Sequence, residues 1–155
     1  MSPIDRYLHA VIMRAGHEAR ADGCRTVEAE HLLLAVAAEP DPVVTGLLAS
    51  AGLDRAGVET ALAREFEHSL SVVGVSASAY ELPPPSRLPV HPGMGTSARL
   101  ALERGFASAP RKKDLRPARI LLGILSAQAG TVPRALGIAG VDQDALLAGV
   151  RASVS

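Results

Sequence analysis

The residues of this chain with chemical potential are few and fall in three places. Glu28, Glu30 and His31 lie within four positions, and His17-Glu18 lies upstream, so carboxylate and imidazole ligands for a metal are present. Their spacing argues against a metal centre. A helical zinc site uses H-E-x-x-H, which does not occur here, and neighbours such as His17 and Glu18 diverge around a helix instead of facing one ion. Cys24 stands beside a helix end and next to Arg25, whose charge favours a thiolate, yet no histidine can be assigned to it as a base, so a bystander cysteine is favoured over a reactive one. The third place is basic: Arg111, Lys112, Lys113, Arg116 and Arg119. Such a cluster suits phosphate or an acidic partner, but no aromatic is interleaved to stack on a base, so a solvated basic loop is favoured over a nucleic-acid site. No G-x-x-x-x-G-K-[ST] phosphate loop occurs, which excludes ATP hydrolysis by that device. The chain reads as a binding protein and not an enzyme, with no metal or cofactor expected.

Composition sets the scaffold that must position these groups. The 155 residues are 48% hydrophobic but only 3% aromatic, so the core must be filled with small aliphatic side chains, which suits closely packed helices. Basic and acidic residues balance at 16 each, so net charge points to neither a nucleic-acid nor a membrane partner. A single cysteine, no signal-like apolar run at the N-terminus and no stretch near the roughly 18 apolar residues of a membrane span give a cytoplasmic expectation.

The organising feature is an internal echo. Ala29 to Val36 (AEHLLLAV) and Pro117 to Ile124 (PARILLGI) stand 88 positions apart, and each is followed at the same distance by an A-G-[LV]-D turn, at Ala51 and at Ala139. Seven residues between His31 and Leu62 recur 88 positions on: Leu33, Leu34, Val44, Leu48, Ala51, Gly52 and Asp54. These are packing and capping types, so the halves share a fold without having to share a ligand. Periodicity predicts an opening helix with Ile4, Leu8, Val11, Ile12, Ala15 and Ala19 on its apolar face, closed at Asp22-Gly23. It then predicts a buried helix over Val27 to Ala37, a third opened by Asp41-Pro42, and a fourth capped by Asp54 that runs to about Glu67 with Val58, Leu62 and Phe66 inward. The second unit repeats the plan. Thr96 or Ser97 caps its opening helix, which carries Leu100, Leu102 and Phe106 and aligns at an offset of 90 instead of 88. Ile120 to Ala127 is its buried helix, and Asp142 caps its last. The expectation is an all-α tandem repeat of two four-helix units, 1–67 and 96–155, joined by a Pro-, Ser- and Gly-rich linker over 68–95. Leu82 to Pro85 makes that linker a tether, while Val72, Val73 and Val75 leave an ordered loop across both units equally open.

These motifs resemble the N-terminal repeat domain of ClpA- and ClpC-type unfoldases, whose hallmark T-E-H-[IL]-L-L-[GA]-[LI] stands here as Glu30-His31-Leu32-Leu33-Leu34-Ala35-Val36 and, in weaker copy, as Ala118-Arg119-Ile120-Leu121-Leu122-Gly123-Ile124. The resemblance implies a pseudo-twofold bundle of eight helices that binds a Clp-type unfoldase, its adaptors or substrate peptides. Without a phosphate loop it would be a freestanding module acting as adaptor, decoy or peptide sink. A protein that kept the fold and binds small molecules or peptides outside Clp proteolysis is the alternative.

Some relatives bind phosphorylated arginine through the glutamate of T-E-H and a threonine near the start of the opening helix. By that resemblance the first glutamate is Glu30 and the second is replaced by Ala118. Asp5 stands where the first threonine would be, although Thr96 or Ser97 keeps a hydroxyl, so neither site matches in full. Glu30 also reads as a first-turn carboxylate that offsets the helix dipole. Relatives further accept cyclic peptides in an apolar groove lined by aromatics before each opening helix. Met1, with Ile4 nearby, and Met94 take those places, either lining a flexible groove or filling the core.

Overall fold

The computed structural model describes residues 1–74 and 88–155. Among them run α1 (Pro3–Ala21), α2 (Ala29–Ala38), α3 (Pro42–Ser50), α4 (Arg55–Val72), α5 (Thr96–Ala107), α6 (Pro117–Leu125), α7 (Thr131–Ile138) and α8 (Gln143–Val154), the all-helical double repeat that the sequence leads one to expect. Two strands of two residues each, β1 (Thr26–Val27) and β2 (Gly93–Met94), pair in parallel, Thr26 with Gly93 and Val27 with Met94. That pairing fastens the entry of the second repeat to the turn between α1 and α2. No single described helix is long and apolar enough to cross a membrane. Val75 and the proline run Pro83 to Pro85 lie outside the described residues.

The buried helices hold the fold together because they are apolar nearly all round. Leu32, Leu33, Ala35 and Val36 of α2 and Ile120, Leu121 and Ile124 of α6 are essentially inaccessible, and one hydrophobic core takes in residues of both repeats. Contacts cross between the units: α2 lies on α5 and α4 on α7, so neither half buries its apolar face alone.

The repeated A-G-[LV]-D quartet has a local physical meaning. Ala51 is the C-cap of α3, Gly52 takes φ +72°, and Leu53 returns its N–H to the Leu48 carbonyl at 2.8 Å. Ala139, Gly140 and Val141 do the same after α7, with Val141 N–H on the Leu136 carbonyl at 2.9 Å. This is the Schellman close, which needs a residue tolerant of positive φ at the glycine. The aspartate that follows starts the next helix at once: Asp54 accepts from Gly57 N–H at 2.7 Å and Asp142 from Ala145 N–H at 3.0 Å.

Several faces differ from the periodicity reading. On α4 the buried residues are Val58, Ala61 and Glu65, while Phe66 is 47% exposed, and the helix continues to Val72, past Glu67. On α5 the buried face is Ala98, Ala101, Leu102 and Gly105, with Leu100 and Phe106 turned outward. A stripe of small residues wins there because α5 crosses α6 very closely: a Cβ on Gly123 would run into the Ala101 carbonyl and the backbone of Gly105. On α1, Ile12 is at the surface and Tyr7 joins Val11, Ala15 and Ala19 in the interior. Beyond the undescribed stretch, the chain returns over α1, where Arg20 donates to the carbonyls of Leu88 and Pro89 before β2 begins.

Candidate binding site

The first turns of α2 and α5 cap each other across the repeats. Gly95 is the N-cap of α5 and offers no side chain, so neither Thr96 nor Ser97 caps that helix as the sequence suggested. Glu28 does it instead, accepting hydrogen bonds from Ser97 N–H, from Ser97 Oγ at 2.8 Å and from Thr26 Oγ1 at 2.6 Å. Ser97 Oγ in turn accepts from Ala29 N–H, the first amide of α2, at 2.8 Å. A Cβ at Gly95 would collide with the Glu28 carboxylate, which explains the glycine. Burial pushes the Glu28 carboxyl up, but the bonds from Thr26 and from the Ser97 side chain and backbone, with His31 nearby, outweigh it and leave it below the ordinary glutamate value.

His31 secures the same turn from below. Its Nδ1 accepts from Glu28 N–H at 2.9 Å, so the ring's proton sits on Nε2 and is donated to Asp22 Oδ2 at 3.1 Å. Cys24 lies close to both, and the three ligand atoms fall within 4.8 Å of one another. The hydrogen bonding argues against a metal there. A histidine ligated through Nε2 donates its other N–H outward, whereas this Nδ1 already receives one. Burial, with the carboxylates of Asp22, Glu30 and Glu28 nearby, pushes the Cys24 thiol up, away from the thiolate form. Glu18, the other carboxylate of a histidine pair, is spent on Arg55.

Above this turn opens a cavity of about 680 Å³. It is formed by the start of α2, one face of α5 and the loop from α6 into α7. Glu30 lines it with Leu100 and Arg104 from α5 and with Gln128, Val132 and Arg134 from the second repeat. Arg134 is committed to Glu65, a 5% exposed carboxylate on α4, at 3.0 Å. No hydrogen bond or ion pair among the described residues engages the side chain of Glu30 or of Arg104, both of which line the cavity. The cavity therefore offers one uncommitted anion, one uncommitted cation and an apolar floor, which suits a peptide with a basic side chain.

A second cavity, of about 480 Å³, occupies the pseudo-equivalent place between the start of α1, the start of α6 and the loop from α2 into α3. Ile4, Arg6 and Tyr7 face Arg116 and Pro117 across it. The offsets of 90 for opening helices and 88 elsewhere pair Ser97 with Tyr7, Ala29 with Pro117, Glu28 with Arg116 and Glu30 with Ala118. Every polar member of the α2 cap is thus replaced.

The remaining sequence candidates scatter. Asp5 is spent on capping α1, where it accepts from Ser2 Oγ at 2.7 Å and Ser2 N–H at 3.2 Å, and the Ser2 bonds hold its carboxyl below the ordinary range. It lies with the second cavity's helix, whereas Glu30 meets α5. Thr96 is exposed at the start of α5, Met1 is 81% exposed, and Met94 packs partly buried against the core. Neither methionine lines either cavity. The basic cluster is partly consumed: Arg111 pairs with Asp114 at 3.1 Å, and Arg119 turns inward to the carbonyls of Ser108, Asp114 and Val154. Sequence reading missed Ser97 as a cap for α2, Tyr7 as a buried residue, and the Glu65–Arg134 link.

Comparison with known proteins places this geometry. The family model described as the Clp repeat (R) N-terminal domain matches residues 4–88. The crystal structure of the N-terminal domain of the caseinolytic protease associated chaperone ClpD from Arabidopsis thaliana is similar over 95% of this chain and 91% of that one, with a TM-score of 0.63 at 18% identity, which speaks for the fold alone. No curated protein matches the chain.

Proposed function

The chain belongs to the Clp repeat N-terminal domain family, and from that premise we propose that it is a noncatalytic protein- and peptide-binding module of Clp-type proteolysis, acting in the cytoplasm as adaptor, decoy or peptide-sequestering regulator. The observation that carries this reading is the cavity built from both repeats, where Glu30 stands uncommitted opposite Leu100 and Arg104. Glu30 takes a cationic group of the bound segment, the α5 face takes its apolar side chains, and Arg104 takes an anionic neighbour. Because the pseudo-equivalent position is Ala118, recognition of cations is one-sided. Thr96, at the exposed start of α5, adds a hydroxyl near the rim. Met1, Met94 and Ile4 contribute at most apolar surface, and Asp5 acts through its cap on α1.

The test is a pull-down from cell extract with this chain as bait, scored for a Clp-type unfoldase, its peptidase or their adaptors. Recovery that is lost with Glu30→Ala supports the reading, and recovery of none of these partners sinks it. A second reading, a small-molecule or peptide receptor outside Clp proteolysis, draws on the cavity's volume of about 680 Å³, well within the range of ligand pockets. Binding of the peptide Ac-Ala-Arg-Ala-Leu-amide without any Clp component in the pull-down favours it.

A further inference from the structure

The cavity beside Glu30 has one wall that is held from outside it. The loop between α6 and α7 contributes Ser126, Ala127, Gln128, Ala129 and Gly130 to the lining. Its tip, Gln128 to Gly130, is exposed, and α7 starts from Gly130, at φ +108°, with no side-chain cap. At the base, Ser126 Oγ turns back to the Leu122 carbonyl of α6 at 2.7 Å. The tie to the rest of the fold comes from α8. Gln143 is partly buried and does not line the cavity, yet it donates both protons of its side-chain amide, to the Leu125 carbonyl at 2.9 Å and to the Ala127 carbonyl at 2.7 Å. Two acceptors facing one group admit only the NH2 there, which settles the orientation of the amide.

The first repeat fixes the corresponding loop differently. Between the end of α2 at Ala38 and the start of α3 at Pro42, Glu39, Pro40 and Asp41 line the second cavity. Asp41 caps α3 on Val44 N–H at 3.0 Å, Glu39 pairs with Arg14 at 2.7 Å, and the ring of Pro40 restricts the backbone. At the offset of 88, Gln143 answers to Arg55, which turns to Glu18 and Glu59 instead. The α2–α3 loop is thus held by its own residues. The α6–α7 loop, longer and without an acidic cap, is held from α8.

We propose that Gln143 is a positioning residue of the Glu30 cavity: by holding the Leu125 and Ala127 carbonyls it keeps the α6–α7 loop in place as one wall, and so sets the affinity for a peptide that it does not touch. A loop released at its base spends only part of its time in the binding shape, and the apparent affinity falls by that fraction. The inference rests on the peptide-binding reading of this cavity and adds the residue that keeps the cavity formed. A role in stability alone is distinguishable, because a chain still folded at the assay temperature has its full competent fraction however far its melting point has dropped.

The experiment titrates Ac-Ala-Arg-Ala-Leu-amide calorimetrically into wild type, Gln143→Met, Gln143→Glu and Gln143→Lys, at a temperature where each melting curve shows the chain folded. Methionine keeps the volume of glutamine, and glutamate keeps its shape with a charge that suits the start of α8, but neither offers a donor to the two carbonyls, whereas lysine does. Gln143→Met and Gln143→Glu are expected to weaken binding about fivefold or more, and Gln143→Lys to stay within about twofold of wild type. Amide relaxation at Gln128 to Gly130, measured by NMR without peptide, is expected to show added motion in the first two variants and none in Gln143→Lys. Wild-type affinity in Gln143→Met or Gln143→Glu, an equal loss in Gln143→Lys, or unaltered loop motion in all three variants overturns the proposal. Failure of wild type itself to bind the peptide overturns the reading of the cavity and this proposal with it, so the wild-type titration tells the two failures apart.

Discussion

The two ends of this pseudo-twofold molecule have the same architecture and opposite chemistry. At the α2 end, Glu28, Ser97, Thr26 and His31 close a hydrogen-bonded ring around two helix starts and leave Glu30 uncommitted. At the α6 end, Arg116, Tyr7, Pro117 and Ala118 stand where Glu28, Ser97, Ala29 and Glu30 stand at the α2 end, with a stranded hydroxyl and a guanidinium that meets no carboxylate among the described residues. The packing residues between the ends are the ones that repeat. Duplication preserved what buries the core and closes the helices, and released what faces the cavities. The crossings of opening on buried helix diverge too: Ala15 and Ala35 mark the first, Gly105 and Gly123 the second and closer one.

That contrast can be broken most forcibly at the crossings. Gly123→Ala is expected to cost about 3 kcal/mol or more, because the new methyl meets backbone that cannot move away. For a chain of this size that lowers the melting temperature by roughly 10 °C. The reverse change at the matching site, Ala35→Gly, should cost about 1 kcal/mol or somewhat more, as the loss of a helix-favouring methyl. Comparable losses in a denaturant titration would erase the difference between the crossings. Next comes the link between repeats: Arg134→Ala strands the buried Glu65 carboxylate with only Ser69 Oγ, at 2.6 Å, and is expected to cost about 1–3 kcal/mol. Adding Glu65→Gln should recover part of that loss.

Removing a hydroxyl should have opposite signs at the two ends. Ser97→Ala removes the cap on α2 and a donor to Glu28, at about 1 kcal/mol, whereas Tyr7→Phe should stabilise by up to about 1 kcal/mol. Like signs in thermal denaturation would contradict the reading. The smallest effect is one of pH. The Glu28 carboxyl lies lower in the folded chain than its ordinary value of 4.5, so its contribution is complete above that pH and is lost as pH falls through the folded value. In urea titrations at successive pH values, wild type should therefore lose its advantage over Glu28→Gln below about pH 4.5. A difference constant down to pH 3 would show that the cap does not depend on the charge.

What the sequence made legible was whatever depends on neighbours in the chain. The glycine closures at Gly52 and Gly140 and the caps at Asp41, Asp54 and Asp142 follow from local backbone chemistry, and the repeat follows from their spacing. Side-chain size misled at the surfaces. Val58, Ala61, Leu62 and Glu65 keep helical spacing as well as Val58, Leu62 and Phe66 do, and only the arrival of Arg134 from the other repeat makes burial of the carboxylate tolerable. On α5 the bulky Leu100 and Phe106 attract attention, yet the face that α6 needs is the small one. Glu30 was visible as a candidate, but its setting was not. The Ser97 hydroxyl that builds the adjacent cap lies 68 residues away from Ala29, and Glu39, Asp41, Arg116 and Pro117, which line a cavity with Tyr7, are likewise distant from it in sequence.

The central claim, that the repeats bind unequally, is tested most directly by titrating Ac-Ala-Arg-Ala-Leu-amide into wild type, Glu30→Ala and Ala118→Ser, each checked for an intact fold by its melting transition. Loss of a charge-assisted contact of about 1.4 kcal/mol or more predicts at least tenfold weaker binding for Glu30→Ala, with Ala118→Ser close to wild type. Equal weakening by both substitutions, or none by Glu30→Ala, would contradict it.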